Sequence, residues 1–433
     1  MIRGLGLFIL LFSLSFSASA QHRYSLGSAF ERDTFARAAG FSYDVTYGSN
    51  AINNAVWYGA VFKTPISRET MQNSVNRAFK TNHAGYDGGG IIWYRHQLKM
   101  RSDSNISDTS KGILYSFFSL GNREHIDAVF SKDALSLVAL GNKSFAGKTA
   151  EIGRLQLQIM RYTQIRYALL RKTEKYKAGA GLSLLIGHQY FNAQTQEASL
   201  YTSEIGDSLH ALALGRMQRT DTASKIYFDP NGLGCAIDVF YETEFDLFSK
   251  NNYKGAIGFE ISDLGFIAWD NRSLTMDVDG QYAWSGFKAT DITRITDSLI
   301  NSQRPSAVQD QLVKHNDKGN YTTTTLPRIA MYYQERLSEK WELGFAVQHR
   351  LFAGQWPLLE STQTLRLKPK APHKPHIHFF ESVGGYNMVT LGAGATFFLK
   401  NYTLKTGFRN LLAPVLPEKW SGFNFFIAFS GGK

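Results

Sequence analysis

The side chains able to do chemistry in this sequence are plentiful, but few stand at a chemically useful spacing. The densest group is His373-Lys374-Pro375-His376-Ile377-His378. On a strand, His376 and His378 share a face and offer two imidazoles to a metal. No carboxylate accompanies them as a third ligand, and Pro375 with Lys368, Lys370 and Lys374 reads as an exposed, solvated turn. Gly147-Lys148-Thr149 has the ending of a phosphate-binding loop. The glycine required five residues before Gly147 is Asn142, and Gly141 is one residue too far, so nucleotide binding is excluded. Glu242 and Glu244 lie on one strand face, where lining a wet interior or ending a strand explains them better than acid-base work. Arg161, Arg166 and Arg171 read as interior or rim residues in preference to a substrate clamp. The sequence contains neither a G-x-S-x-G elbow nor an H-E-x-x-H zinc motif. Cys235 is the single cysteine, which rules out an intramolecular disulfide and a multi-cysteine zinc site. The expectation is therefore a non-enzymatic protein, with no catalytic, cofactor-binding or metal-binding residue and no cofactor.

The elements that would carry these residues are strands of one kind. Val389, Leu391, Ala393, Ala395, Phe397 and Leu399 alternate with Thr390, Gly392, Gly394, Thr396 and Phe398. Tyr402, Leu404, Thr406 and Phe408 then alternate with Thr403, Lys405, Gly407 and Arg409, with a tight hairpin expected at Asn401. The same texture recurs at Phe41 to Gly48, Arg154 to Ile159, Leu233 to Glu242, Trp341 to Arg350 and Phe423 to Ser430. A period of two with one apolar parity is the mark of strands whose outer face meets lipid. Turn signals are Gly121-Asn122, Asn251-Asn252 and Asp270-Asn271, and aromatics expected near strand ends are Trp93, Tyr94, Trp269, Trp341 and Trp356. Three segments break the alternation and read as short helical inserts, near 67–80, 131–141 and 290–302. Their expected role is to plug or cap the ends of the barrel, or to dock partners.

The chain opens with Arg3, an apolar run from Leu5 to Phe16, and Ala18-Ser19-Ala20 before Gln21. That is the layout of a secretory signal peptide over residues 1–20. Its apolar run is shorter than the roughly 20 residues a spanning helix needs. Aromatic content is 14% and hydrophobic content 43%, yet no later segment is apolar enough to span as a helix. Only helices and closed barrels satisfy their backbone inside lipid. An exported, aromatic-rich chain without a spanning helix is accordingly expected to be all-β: a transmembrane antiparallel β-barrel of about 14 to 18 strands over residues 21–433. The net charge of +11 points to outer-membrane lipids and lipopolysaccharide headgroups, or to other envelope proteins, as partners. Nucleic acid is excluded as a partner by export.

Several segments taken together resemble a family of uncharacterised outer-membrane barrels from the Bacteroidota. They are Phe130-Ser131-Lys132-Asp133-Ala134-Leu135, Gly141-Asn142, Phe145 to Thr149, Tyr167-Ala168-Leu169 and Lys177 to Leu182. The most characteristic stretch runs from Gly232 to Asp238 and on to Ile261 through Ile267 and Trp269. An Asn-Pro-Ala type motif expected after the leader is replaced by Ala51-Ile52-Asn53-Asn54-Ala55. The resemblance implies an exported barrel in the outer membrane of a Gram-negative bacterium, distantly similar to FadL-type transporters of hydrophobic compounds. It brings no established activity. Transport of a small, hydrophobic solute is the expected function, with an accessory subunit of a secretion or assembly complex as the alternative.

Overall fold

The alternating runs pair edge to edge into one antiparallel sheet that closes on itself. The computed structural model describes residues 26–30, 35–98, 112–220, 228–247, 254–284, 313–351, 354–367 and 374–433. Its first strands are β1 Arg37–Ser49, β2 Thr81–Leu98, β3 Ile113–Ser131, β4 Lys148–Glu151, β5 Gln156–Lys172 and β6 Tyr176–Thr202. Next come β7 Leu209–Arg219, β8 Gly232–Glu244, β9 Gly255–Trp269, β10 Leu274–Trp284, β11 Val313–Lys318 and β12 Tyr321–Thr324. The last are β13 Arg328–Arg336, β14 Trp341–Arg350, β15 Trp356–Arg366, β16 His376–Gly385, β17 Asn387–Leu399, β18 Tyr402–Phe408 and β19 Phe423–Gly432. Fourteen of them form the ring, in the order β1, β2, β3, β5, β6, β8, β9, β13 to β19, and β19 pairs back onto β1 from Ala38↔Gly432 to Tyr47↔Phe423. Closure leaves the ring with no free edge.

An even number of antiparallel strands puts both ends of the ring's chain on one side, where Arg37 and Lys433 exchange backbone hydrogen bonds of 3.2 and 3.0 Å. Short turns lie on this side too: Thr173–Lys175, Leu337–Lys340 and Lys400-Asn401, the expected hairpin. The opposite end is elaborated. It carries β4, β7, β10, β11 and β12, all outside the ring. Strand β6 is 27 residues long, about 90 Å at roughly 3.3 Å per residue, against the 9 to 11 residues a spanning strand requires. Its first half belongs to the barrel, and its second half stands beyond it and pairs with β4 and β7.

Helices run over Asn54–Phe62, Arg68–Arg77 and Lys132–Leu140, all at the elaborated end. Each is capped by a side-chain oxygen on the residue before it: Asn53 accepts from Val56 N, Ser67 from Thr70 N and Ser131 from Ala134 N. These three helices pack against the outer face of the wall: Ala78, Ala134 and Leu135 gather on Ala84, Ala128 and Phe130, and Trp57 lies on Tyr47, whose ring also stacks on Phe423. Asn54 explains the Ala51–Ala55 stretch. Its fully buried amide donates to Gly422 O (3.0 Å) and accepts from Gly422 N (2.7 Å), pinning the β1–β2 connection to the one before β19.

Several expectations are corrected. Gly121-Asn122 is no turn; β3 runs straight through it in unbroken register with β2 and β5, and Asn122 Oδ1 accepts from Gly90 N. The pair serves close approach between strands, because a Cβ at Gly121 would press on the Gly90 carbonyl. Asp270-Asn271 does turn, with Asp270 Oδ1 accepting from Arg272 N (3.0 Å). Trp93 and Trp269 face inward and are buried, because parity groups Trp93 with Ile91 and Arg95; Tyr94, Trp341 and Trp356 are exposed outside. Asn251-Asn252, the signal peptide and the segment 290–302 lie outside the described residues.

Candidate functional site

Period-two alternation sends one side-chain set outward and the other into the lumen, and the two sets differ sharply. Outside, Ile165, Leu184, Cys235 and Phe266 form one apolar row across four neighbouring strands. Inside, the same four strands present Gln164, Arg166, Ser183, Asp238 and Asp263, all buried. Arg166 is the hub: its Nε lies 2.9 Å from Asp238 and its Nη2 3.3 Å from Asp263. Arg123 reaches Asp263 from β3 at 3.7 Å, while Gln164 and Ser183 close the remaining hydrogen bonds of 2.7 and 3.2 Å. Asp263 sits at a bulge in β9 with φ of 59°, and the turn in the backbone aims its carboxylate at both guanidinium groups.

Contacts of this kind cross the whole lumen. Asp87 on β2 pairs with Arg350 on β14, seven places away in the ring of fourteen, which is the full width of the barrel. His125 joins the same carboxylate at 3.0 Å, and Tyr386 donates to Asp127 from the β16–β17 turn. That turn is a single residue after Gly384 and Gly385, both at positive φ, a geometry glycine adopts without strain. Arg409, just past the end of β18, bridges Glu360 (3.2 Å) and Asp44 (3.4 Å), and Arg328 lies against Glu260. These side chains are mostly out of solvent, and each acid has a basic or hydroxyl partner. Charges taken from water at such cost persist only when paired and hydrogen-bonded.

Towards the chain-ends side the filling becomes apolar. The short 3-10 turn Leu26–Phe30 lies inside the barrel, among Ile91, Trp93, Tyr115, Phe117, Leu170 and Phe240. Phe30 stacks on Phe240 with ring centroids 5.8 Å apart. Arg95, fully buried, holds the turn by donating to the Ala29 and Phe35 carbonyls and lies over the Tyr115 ring at 4.5 Å. Below this layer opens a polar cavity of about 540 Å³, lined by Lys172 to Lys177, Glu242, Glu244, Lys254, Arg336, Glu342 and Arg366. Lys254 donates to both Glu244 oxygens at 2.7 Å, which raises its ammonium pKa above the ordinary lysine value.

The residues singled out from sequence are thus distributed, not gathered. Glu242 and Glu244 share a face, but Glu242 is taken by Lys177 (2.8 Å) and Tyr332 (2.6 Å), and Glu244 by Lys254. Arg166 is luminal, Arg171 is exposed, and Arg161 points away from the lumen towards Glu124. His376 and His378 form no solvated turn: they open β16, and His378 is buried in the wall between Thr364 (2.9 Å) and Thr396 (2.7 Å). Those hydroxyls come from β15 and β17, so the strand satisfies the ring from both sides. His373 lies outside the described residues. Gly147-Lys148-Thr149 begins the exposed β4. The luminal carboxylates Asp87, Asp238, Asp263 and Glu360, with Arg350 and Arg409 as partners, went unnoticed as a set. Their one sequence signal is charge on the inward parity of an otherwise apolar strand, as at Asp238.

Among solved structures, the chain is similar to the TodX deltaS2S3 mutant monoaromatic hydrocarbon channel, at 8% identity and a TM-score of 0.43, covering 92% of this chain and 91% of that one. It is similar to the Pseudomonas putida toluene transporter TodX at 7% identity and 0.42, covering 97% and 96%. The translocator domain of the autotransporter NalP from Neisseria meningitidis gives 6% and 0.35, covering 94% and 92%. Comparison with curated proteins gives no sequence match. A family model does match, over residues 47–402, from the end of β1 to the start of β18 and so across most of the ring. The chain belongs to that family, the family of unknown function DUF5723.

Proposed function

We propose that this chain is an outer-membrane β-barrel of a Gram-negative bacterium, sealed through its middle, that serves as a membrane-anchored accessory subunit of a larger envelope assembly. The membrane assignment is supported by the closed ring and by its outward rows of exposed Leu, Ile, Val, Phe and Tyr. The short-turned end with both chain ends would face the periplasm, and the end bearing the helices and the tall β6 sheet would face outward. The accessory role rests on one observation, the Asp87–Arg350 pair across the full width of the lumen. Opening a solute path there means separating buried charges, and stranding one partner of such a pair costs about 3–5 kcal/mol. A sheet standing beyond the barrel then offers the natural docking surface.

Solute transport is the second reading, favoured by the polar cavity of about 540 Å³ at the chain-ends mouth. Reconstitution into liposomes separates the two. The accessory reading expects no leak of entrapped small solutes, and gentle detergent extraction of the native protein should yield a complex heavier than one 48.6 kDa chain. Solute flux from the wild-type barrel, with a lone chain in the native extract, would establish transport and overturn the accessory role.

A further inference from the structure

The cavities differ in charge, and one of them has cations without a carboxylate. The mouth cavity mixes acids with bases, and a small luminal cavity beside Tyr386 has Asp87 and Glu360 against Arg409. A third, of about 210 Å³, lies at the rim of the elaborated end, and its lining includes Arg77, Met388, Val389, Lys419 and Trp420. It has two cations and no carboxylate. Arg77 Nη1 is buried and has no hydrogen-bond partner among the described residues. Burial also lowers the Arg77 pKa, as expected of a guanidinium short of a counter-charge. Lys419 is exposed, and no ion pair holds it among the described residues.

We infer that this cavity binds the phosphate of an anionic lipid headgroup, with Arg77 and Lys419 as its ligands. The guanidinium supplies paired N–H donors that suit phosphate oxygens, and the ammonium supplies a point charge. The lipid source, in preference to free phosphate, is argued from what adjoins the site. Met388 is 58% exposed, and Val389 leads onto Leu391, 43% exposed on the outward parity of β17. An acyl chain below the headgroup would run along that row, and Trp420 stands at the level where indole rings favour the interface. The inference rests on the outer-membrane reading and names one lipid contact within it.

The test uses the full-length barrel in nanodiscs of phosphatidylcholine doped with phosphatidylglycerol, counting retained phosphatidylglycerol by native mass spectrometry after release. Arg77→Gln and Lys419→Gln should each weaken retention by about tenfold, and the double variant should approach the level of nonspecific lipid. Folding is checked by heat-modifiable migration on gels. Lys419→Gln alters an exposed side chain, so it preserves the test if Arg77→Gln misfolds. Unchanged retention in the double variant overturns the site while leaving the barrel in its membrane. Displacement of the lipid by millimolar inorganic phosphate would also overturn it, in favour of a free-anion site. Wild-type protein that stays soluble without detergent would sink the membrane reading itself.

Discussion

Asp263 concentrates two separable contributions in one side chain. Its charge answers Arg123 and Arg166, while its backbone holds φ of 59°, a conformation that costs most residues about 1–2 kcal/mol and glycine the least. Asp263→Gly and Asp263→Ala both remove every side-chain acceptor from the guanidinium groups, so their difference reads the backbone. Asp263→Ala is expected to be the less stable by about 1 kcal/mol, read from urea unfolding in lipid vesicles. Equal stability would show that the bulge carries no conformational demand. At this scale the sequence revealed parity but not pairing. Asp238 was legible as inward-facing from its neighbours Ile237 and Val239. That Asp87 meets Arg350, 263 residues away, depends on how the ring closes, and no local pattern encodes it. His378 was misread for the same reason: Pro375 and the lysines before it describe the loop, while the threonines that satisfy it belong to other strands.

Strands β8, β17 and β18 were readable because each has one face in the lumen and one outside, so apolar and polar residues separate cleanly. Strands β7 and β10 were not. Both faces of β7 are mostly half-exposed, from Leu209 to Arg219, and nothing forces its residues to sort by parity. The helices near 67 and 131 were legible through their serine caps, a local interaction. The outer row of β6 and β8 makes two predictions about the strand faces. Leu184→Arg should destabilise the barrel by about 2–4 kcal/mol if that row lies at the bilayer midplane, whereas Ala180→Arg, nearer the mouth, should cost less. Equal costs would remove the depth dependence that lipid imposes. Cys235, exposed beside Leu184, should resist a charged maleimide in vesicles yet react with an apolar one, and should react with both after denaturation. Fast labelling of the folded protein by the charged reagent would place this face in water.

For the whole molecule, the central expectation is electrical. Planar bilayers containing the wild-type barrel should show no steady conductance, whereas the double variant Asp87→Ala with Arg350→Ala removes both halves of the cross-lumen pair and should admit ions. Silence in that variant, with its fold intact, would assign the seal to the apolar packing around Phe30. One consequence follows from the seam between β1 and β19. Local hairpins such as β5–β6 and β17–β18 can pair on their own, but the ring is locked only when β19 reaches β1. Before that seam forms, the sheet is an open ribbon with two unpaired borders, each a template for pairing with another chain.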